Sequence, residues 1–459
     1  MRIPLVAVAC LHLLATLAQG QSDFKLVEAG EPRAVVFAPD ENRWAGQRLA
    51  DRVKRWTGVE LRVVEAAAEL DARHQVVAVG TPDSNPAIAA ALAADKRLTE
   101  LGEEGYILKV ANWKDRRVLV AAGLTLTGAN HAVSELVSWR LRLTKDGASV
   151  PVDLNISEKP AMKYRILWSW DGQGNWATTI EEMHTIQTGV AGTPVVAYTK
   201  EGFLTHFKLA IDFYSDHKLN GLIIWGFLRD EHGGVEAGQE LSRYAKRNNV
   251  RILPGVCTQA AYGGFIYSKT NKFNLDVWSK KHPELRCKYR DGKFNPSICP
   301  SKPENQKWHR EGIEWLFDTF PDIGGVNLEN GDLMYCWTED CVEAKARPEN
   351  DPNFYWDQVY SYKQVLEPAS SLRPDAWMTY ATYTGFTKSA MRGSVESAIS
   401  QRLATDFVWP PKFLHQVPAN GICQWTFTGM STPETWPEGA KPPPSNIKEH
   451  IGLMHQGSI

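Results

Sequence analysis

A chain of 459 residues is too long for one ordinary hydrophobic core and allows two domains, one of them large enough to be a barrel. Its 51 basic residues balance 53 acidic ones to a formal net charge of -2, which leaves no basic field for nucleic acid. The 17 tryptophans offer flat indole faces suited to sugar rings, but most tryptophans in any protein are core or half-buried surface, so composition points toward carbohydrate and no further.

The first twenty residues read as a secretory signal peptide. Arg2 gives a positive start, Ile3 to Leu17 is mostly apolar, and Ala18-Gln19-Gly20 offers small residues for cleavage. The mature chain would begin near Gln21 and be exported to the periplasm or the extracellular space. A lipid on Cys10 fits less well, because the apolar stretch continues past that cysteine. No later segment reaches the apolar length of a membrane span.

Residues 21–158 predict a small α/β domain. Arg33 to Phe37, Leu61 to Glu65 and Gln75 to Gly80 read as strands, and Glu41 to Trp56 as a helix with Trp44, Leu49, Val53 and Trp56 at helical spacing and Gly58 as its stop. Tyr106 to Val110 and Val118 to Ala121 predict a hairpin around Asn112-Trp113-Lys114-Asp115, and Asn130 to Leu141 a last helix. Acidic residues such as Glu41, Asp51 and Glu60 fall at helix and turn positions, so no catalytic group is expected here.

From residue 159 to 459 the pattern becomes strands about one helix apart, the signature of βα repeats and a parallel sheet. Strands are predicted at Tyr164 to Trp170, Gly221 to Phe227, Val250 to Val256, Gly325 to Glu329, Ala376 to Tyr383 and Gly421 to Phe427, with weaker ones at Asp406 to Trp409 and His450 to His455. Helices fall at Leu204 to His217, Glu236 to Arg247 and Trp308 to Phe320. A TIM-type (β/α)8 barrel fits best. The chain stops at Ile459, after an apolar run and without a closing helix, so the expected barrel is incomplete at its C-terminus or the chain truncated.

Lys218-Leu219-Asn220, the strand Leu222 to Phe227 and the loop Leu228-Arg229-Asp230-Glu231 resemble the second barrel unit of glycoside hydrolase family 20, the β-N-acetylhexosaminidases. Glu240-Leu241, Tyr244-Ala245-Lys246 and Val250 to Pro254 are similar to the third unit of that family. In the front region, Glu104 to Leu108, Val118 to Gly123, Gly128, Ala132 and Leu136 resemble the N-terminal domain that family 20 shares with the family 67 α-glucuronidases. The resemblance implies a sugar-cleaving barrel without cofactor, in which Glu329 takes the general-acid position. The chain departs from the family at Leu328, where an Asp orients the substrate's acetamido group, and at Gly255, which follows Pro254 where the third strand carries an acid. The resemblance therefore implies a glycosidase lacking the usual Asp-Glu pair.

Glycosidases flank the scissile bond with two carboxyl groups, and a barrel presents such groups at the C-terminal ends of its strands. Glu329, directly after an apolar strand and before Asn330-Gly331, meets that condition; its alternative role is a helix cap. Asp332 is the candidate catalytic partner, with turn chemistry as its alternative. Asp171, Asp230 and Glu231 end the first two strands and are further candidates for the base or for sugar contacts. Arg165 resembles the family's first-strand arginine that holds sugar hydroxyls. Trp168, Trp170, Trp225, Trp337, Tyr383 and Trp425 stand where stacking platforms would be needed, and barrel packing explains any one of them about as well. His206, His217 and His232 form no ligand spacing, and no metal is expected.

Six cysteines remain after the leader: Cys257, Cys287, Cys299, Cys336, Cys341 and Cys423. Their even number in an oxidising compartment favours a disulfide staple, Cys336 with Cys341 or with Cys299 and Cys287 across loops. A zinc knot is the alternative, set back by the lack of a paired C-x-x-C spacing. The leading functional reading is an exo-glycosidase acting on an oligosaccharide or polysaccharide, on neutral or uronic sugars. An inactive glycan-binding barrel and a surface-assembly protein are the alternatives. Oligomeric state is left open.

Overall fold

The computed structural model describes residues 23–170, 187–188, 194–195, 199–259, 263–330, 336–346, 355–381, 421–426 and 449–453. They fall into two compact units, residues 1–163 with 212–218, and residues 164–211 with 219–459.

The first unit contains β1 (Phe24–Glu28), β2 (Ala34–Phe37), α1 (Arg43–Thr57), β3 (Val63–Val64), β4 (Gln75–Gly80), α2 (Pro86–Ala91), β5 (Tyr106–Trp113), β6 (Arg116–Gly123), α3 (Leu126–Glu135), β7 (Gly147–Val150) and β8 (Asn155–Glu158). Its main sheet has six strands in the order β8-β5-β6-β4-β2-β3. Strand side chains alternate between two apolar cores. Val77, Val79, Leu119 and Ala121 pack with Leu49 and Val53 of α1, while Val76, Ala78, Val118 and Val120 pack with Ala87 and Ile88 of α2. Continuous β-branched runs such as Gln75 to Gly80 are therefore buried on both faces, which is why they are visible in the sequence.

Three local expectations are corrected here. The buried face of α1 is Ala45, Gly46, Leu49, Ala50 and Val53, and Trp56 is 59% exposed. Small residues bring this helix close to the sheet: a Cβ at Gly46 would lie 2.6 Å from Ala38 Cβ. Gly58 does stop the helix, in the left-handed region at φ 72° with its N–H donating to Lys54 O. The hairpin pairs as far as Trp113 with Arg116, so only Lys114-Asp115 turn, with Lys114 at φ 52°. The last helix starts earlier than expected, at Leu126 behind the Thr125 N-cap, and three short strands follow it. One of them, β8, pairs with β5 at the sheet edge; with Ile156 as its single apolar residue it carries little strand signal.

The second unit contains β9 (Ile166–Trp170), α4 (Lys200–Asp216, of which residues 212–216 belong to the first unit), β10 (Gly221–Trp225), α5 (Gly234–Arg247), β11 (Arg251–Val256), α6 (Leu275–Lys281), β12 (Arg286–Lys288), β13 (Phe294–Ile298), α7 (Pro303–Thr319), β14 (Gly325–Leu328), α8 (Glu339–Ala346), α9 (Tyr355–Leu372), β15 (Trp377–Ala381), β16 (Ile422–Thr426) and β17 (Glu449–Leu453). Seven strands form one parallel sheet in the order β9-β10-β11-β14-β15-β16-β17, which is the chain order expected of a barrel wall. No pairing joins β17 back to β9 among the described residues. The weaker strand expected at Asp406 to Trp409 lies outside them. The antiparallel β12–β13 hairpin, inserted between β11 and α7, was not foreseen.

The KLN segment has a local purpose. Asn220 accepts from Arg165 N–H through Oδ1 at 2.8 Å and donates its own N–H to Arg165 O at 3.0 Å, clipping the starts of β9 and β10 together. Lys218, at φ 59°, pairs with Glu135 at 2.5 Å. No helix among the described residues is long and apolar enough to cross a membrane.

Gly325 shows how closely the strands approach. A Cβ there would lie 1.9 Å from Trp377 O, inside the β14–β15 ladder. Gly325→Ala must push the two strands apart, and a loss of ~3 kcal/mol or more is expected, comparable to severe overpacking. A thermal melt of the variant checks this, and an unchanged midpoint would contradict the register.

Candidate active site

Four strands contribute to one interior layer. Asn327 of β14 pairs with Gly255 of β11 on one side and Thr379 of β15 on the other. Its Oδ1 accepts from Trp225 Nε1 at 3.1 Å and its Nδ2 donates to Thr379 Oγ1 at 2.8 Å. Thr379 Oγ1 in turn donates to Val326 O at 3.2 Å. The Trp225 ring fills the space over Gly255, where a Cβ would come within 2.4 Å of it. An acidic side chain at this position would need the room that the indole occupies.

Alternation along β14 puts Leu328 on the face opposite Asn327, fully buried. Glu329 continues the parity of Asn327. Its N–H donates to Val256 O at 3.3 Å, extending the ladder one step past the strand, and the residue is 7% exposed.

Behind Glu329 lies a fully buried polar network centred on Asn330. Asn330 Oδ1 accepts from Thr258 N–H at 2.8 Å, Gln259 N–H at 3.2 Å and the Cys257 thiol at 3.3 Å. Its Nδ2 donates to Thr258 Oγ1 at 2.6 Å and Ser361 Oγ at 3.0 Å, and its N–H to Tyr362 OH at 2.9 Å. Tyr362 OH donates onward to Ala381 O at 3.1 Å. His309 Nε2 donates to Thr258 O at 2.5 Å, and burial holds its pKa below the ordinary histidine range. One asparagine thereby ties the end of β14 to the end of β11, to α9 and to β15. Such a network is costly to bury unless every member is satisfied, and it rigidifies what it holds. Sequence reasoning missed Asn330, the buried hydrogen-bond hub next to Glu329, since Asn-Gly reads as a turn.

The other predicted residues are placed as follows. Arg165 and Trp168 are buried at β9. Trp170 and Trp425 belong to β9 and β16, while Asp171, Asp332 and Tyr383 lie outside the described residues. Asp230 and Glu231 are exposed in a short turn, where Asp230 N–H donates to Tyr267 O at 3.1 Å and Glu231 stands 3.9 Å from Lys269. Neither joins the Asn330 network among the described residues. Trp337 is half-buried, donates its N–H to Lys288 O at 3.0 Å and carries the Arg290 guanidinium 5.4 Å above its ring. His232 is buried and stacks on Phe203, and burial lowers His206 to about 4. A surface cleft of 570 Å³ beside Tyr267, Lys269 and Lys280 contains none of the predicted site residues.

The expected disulfide staple is replaced by a cluster of free, buried thiols at Cys287, Cys299, Cys336 and Cys341. Cys299 Sγ and Cys341 Sγ stand 3.3 Å apart, too far for a bond of about 2.05 Å.

Residues 27–133 match the family described as Glycosyl hydrolase family 67 N-terminus. The chitobiase of Flavobacterium johnsoniae shares the fold at a TM-score of 0.53 and 13% identity, over 95% of this chain and 63% of that one. The family 20 β-N-acetylhexosaminidase of Streptomyces coelicolor A3(2) does so at 0.50 and 14%, over 91% and 69%. The family 20 exo-β-N-acetylglucosaminidase of Vibrio harveyi does so at 0.50 and 12%, over 89% and 56%. In fold, the chain is similar to the family 20 hexosaminidases. It spans little more than half of the Vibrio harveyi structure, and no curated protein matches it in sequence.

Proposed function

We propose that the chain is an exported glycoside hydrolase cleaving an O-glycosidic bond by carboxylate acid/base chemistry, with Glu329 as the general acid. The observation that carries this reading is the position of Glu329: nearly buried at the C-terminal end of a central parallel strand and followed by an anchor that reaches three other elements. A general acid at this position must carry its proton when the substrate binds. Glu329 would protonate the leaving oxygen, while a second carboxylate, Asp332 or one of Asp171, Asp230 and Glu231, would attack the anomeric carbon or activate water. Arg165 and the strand-end aromatics Trp168, Trp170, Trp337, Tyr383 and Trp425 would hold the sugar.

Leu328 offers no carboxylate to orient an acetamido group, so the substrate class we infer is a neutral or uronic glycoside. Residues 21–158 would act as a non-catalytic domain and residues 1–20 as the leader. A second reading, an inactive glycan-binding barrel, draws on the same two departures, Leu328 and the filled space over Gly255. A panel of chromogenic glycosides, including the N-acetylglucosaminide and the glucuronide, separates the two. The enzyme reading expects turnover of a neutral or uronic glycoside and none of the N-acetylglucosaminide. Saturable glycan binding without turnover of any member would overturn it.

A further inference from the structure

Two loops at the C-terminal ends of β11 and β14 meet at sulfur. Cys287 on β12 and Cys299 after β13 come from the inserted hairpin, and Cys336 and Cys341, the latter in α8, come from the segment that follows Glu329. The sulfurs of Cys299, Cys336 and Cys341 all lie within 4.8 Å of one another, and Cys287 is in hydrogen-bonding contact with Cys336. All four residues are completely buried. We propose that Cys287, Cys299, Cys336 and Cys341 bind one structural Zn(II) ion as a four-thiolate site that clamps the hairpin to the loop carrying Glu329. The proposal is independent of the reaction assigned to Glu329.

Two observations favour a metal over a pair of disulfides. The first is spacing: four thiolates at about 2.3 Å from zinc stand about 3.8 Å from one another, and the 3.3 Å between Cys299 and Cys341 is nearer to that than to a bond. The second is the donor shell. Ser301 Oγ lies 3.0 Å from Cys341 Sγ, Thr338 Oγ1 lies 3.2 Å from Cys299 Sγ and 3.3 Å from Cys336 Sγ, and Gln259 Nε2 donates toward Cys287 Sγ at 3.7 Å. A hydroxyl or amide beside every sulfur suits thiolates, which need hydrogen-bond donors, and gives disulfide sulfurs little. The buried Lys345 ammonium donates to Cys336 O at 2.9 Å and pairs with Asp357, and Lys302 pairs with Asp340, so the lysines nearest the cluster are already neutralised and the metal would itself balance the thiolates. The loop is already paired to the hairpin through Trp337 N–H and Lys288 O at 3.0 Å, so the metal would complete an existing contact. Irregular intervals between the cysteines reflect the two separate loops and hid the site from a spacing argument.

The test is metal analysis and cobalt substitution of the full chain. Purified protein is expected to hold one zinc per chain, to release it to a thiol-modifying mercurial, and to melt at a lower temperature once stripped. Replacement by Co(II) should give near-ultraviolet thiolate charge transfer and the intense visible bands of tetrahedral cobalt. Cys287→Ser, the mildest of the ligand changes, should shift those bands toward a three-sulfur pattern. Lys293→Ala, at an exposed turn of the hairpin, should keep the metal and serves as a control for folding. Folded metal-free protein with a mass deficit of two hydrogens per disulfide would overturn the proposal, as would free thiols that take up no cobalt. An unchanged cobalt spectrum in Cys287→Ser would overturn the four-thiolate assignment.

Discussion

Glu329→Gln is expected to lower turnover on a natural glycoside by a factor on the order of a hundred or more, with almost no change in melting temperature. The amide keeps the shape and the strand-end position, where the backbone N–H donates to Val256 O, and removes only the proton. A side chain that merely capped a following helix would behave the opposite way, losing a little stability and no activity. Burial gives the effect its size. At 7% exposure there is little bulk water at hand to replace the missing acid. Turnover within a few-fold of wild type would remove Glu329 from the mechanism.

Asn330→Ala is expected to cost ~3 kcal/mol of stability, because buried donors left without acceptors lose their desolvation cost in full. The side chain deleted accepts from the Thr258 and Gln259 N–H groups and donates to the Thr258 and Ser361 hydroxyls, all of them buried. Activity should fall beyond the loss of folded fraction, since the strand end that carries Glu329 loses this anchor. Asn330→Asp separates the parts: the acceptor survives, the donor is lost and a charge is buried, so its melting temperature should also drop. Thermal melts with kinetics on the folded fraction check both variants. An Asn330→Ala protein melting like wild type would show that the network does not anchor the site.

The repeated βα architecture was legible because strands buried on both faces read as continuous apolar runs, and β4, β10, β11 and β14 fall within two residues of where those runs place them. Glu329 was singled out for the same reason, being the first charge after such a run, and the structure adds that it is buried there. Asn330 was not. Its partners Thr258, Ser361 and Tyr362 are 72, 31 and 32 residues away, and nothing local distinguishes a buried network asparagine from a turn asparagine. The cysteines posed the same problem, with Cys299 and Cys341 separated by 42 residues and joined through a hairpin whose short strands carry weak patterning. Trp56 misled in the other direction: helical spacing placed it inside, while small residues let α1 approach the sheet without it. Trp225 was assigned as a sugar platform from its strand-end position, and its hydrogen bond to Asn327 and contact over Gly255 give it a packing role that spacing could not reveal.

The most direct test of the central claim compares wild type and Glu329→Gln on a series of aryl glycosides of one sugar, graded by the acidity of the leaving phenol. If Glu329 donates the proton, wild-type rates vary little along the series. The variant's rates then fall steeply as the phenol becomes less acidic, so that its deficit is small on the most activated glycoside and large on the least. Equal deficits across the series would contradict a general-acid role and make Glu329 a nucleophile or a sugar-binding group instead.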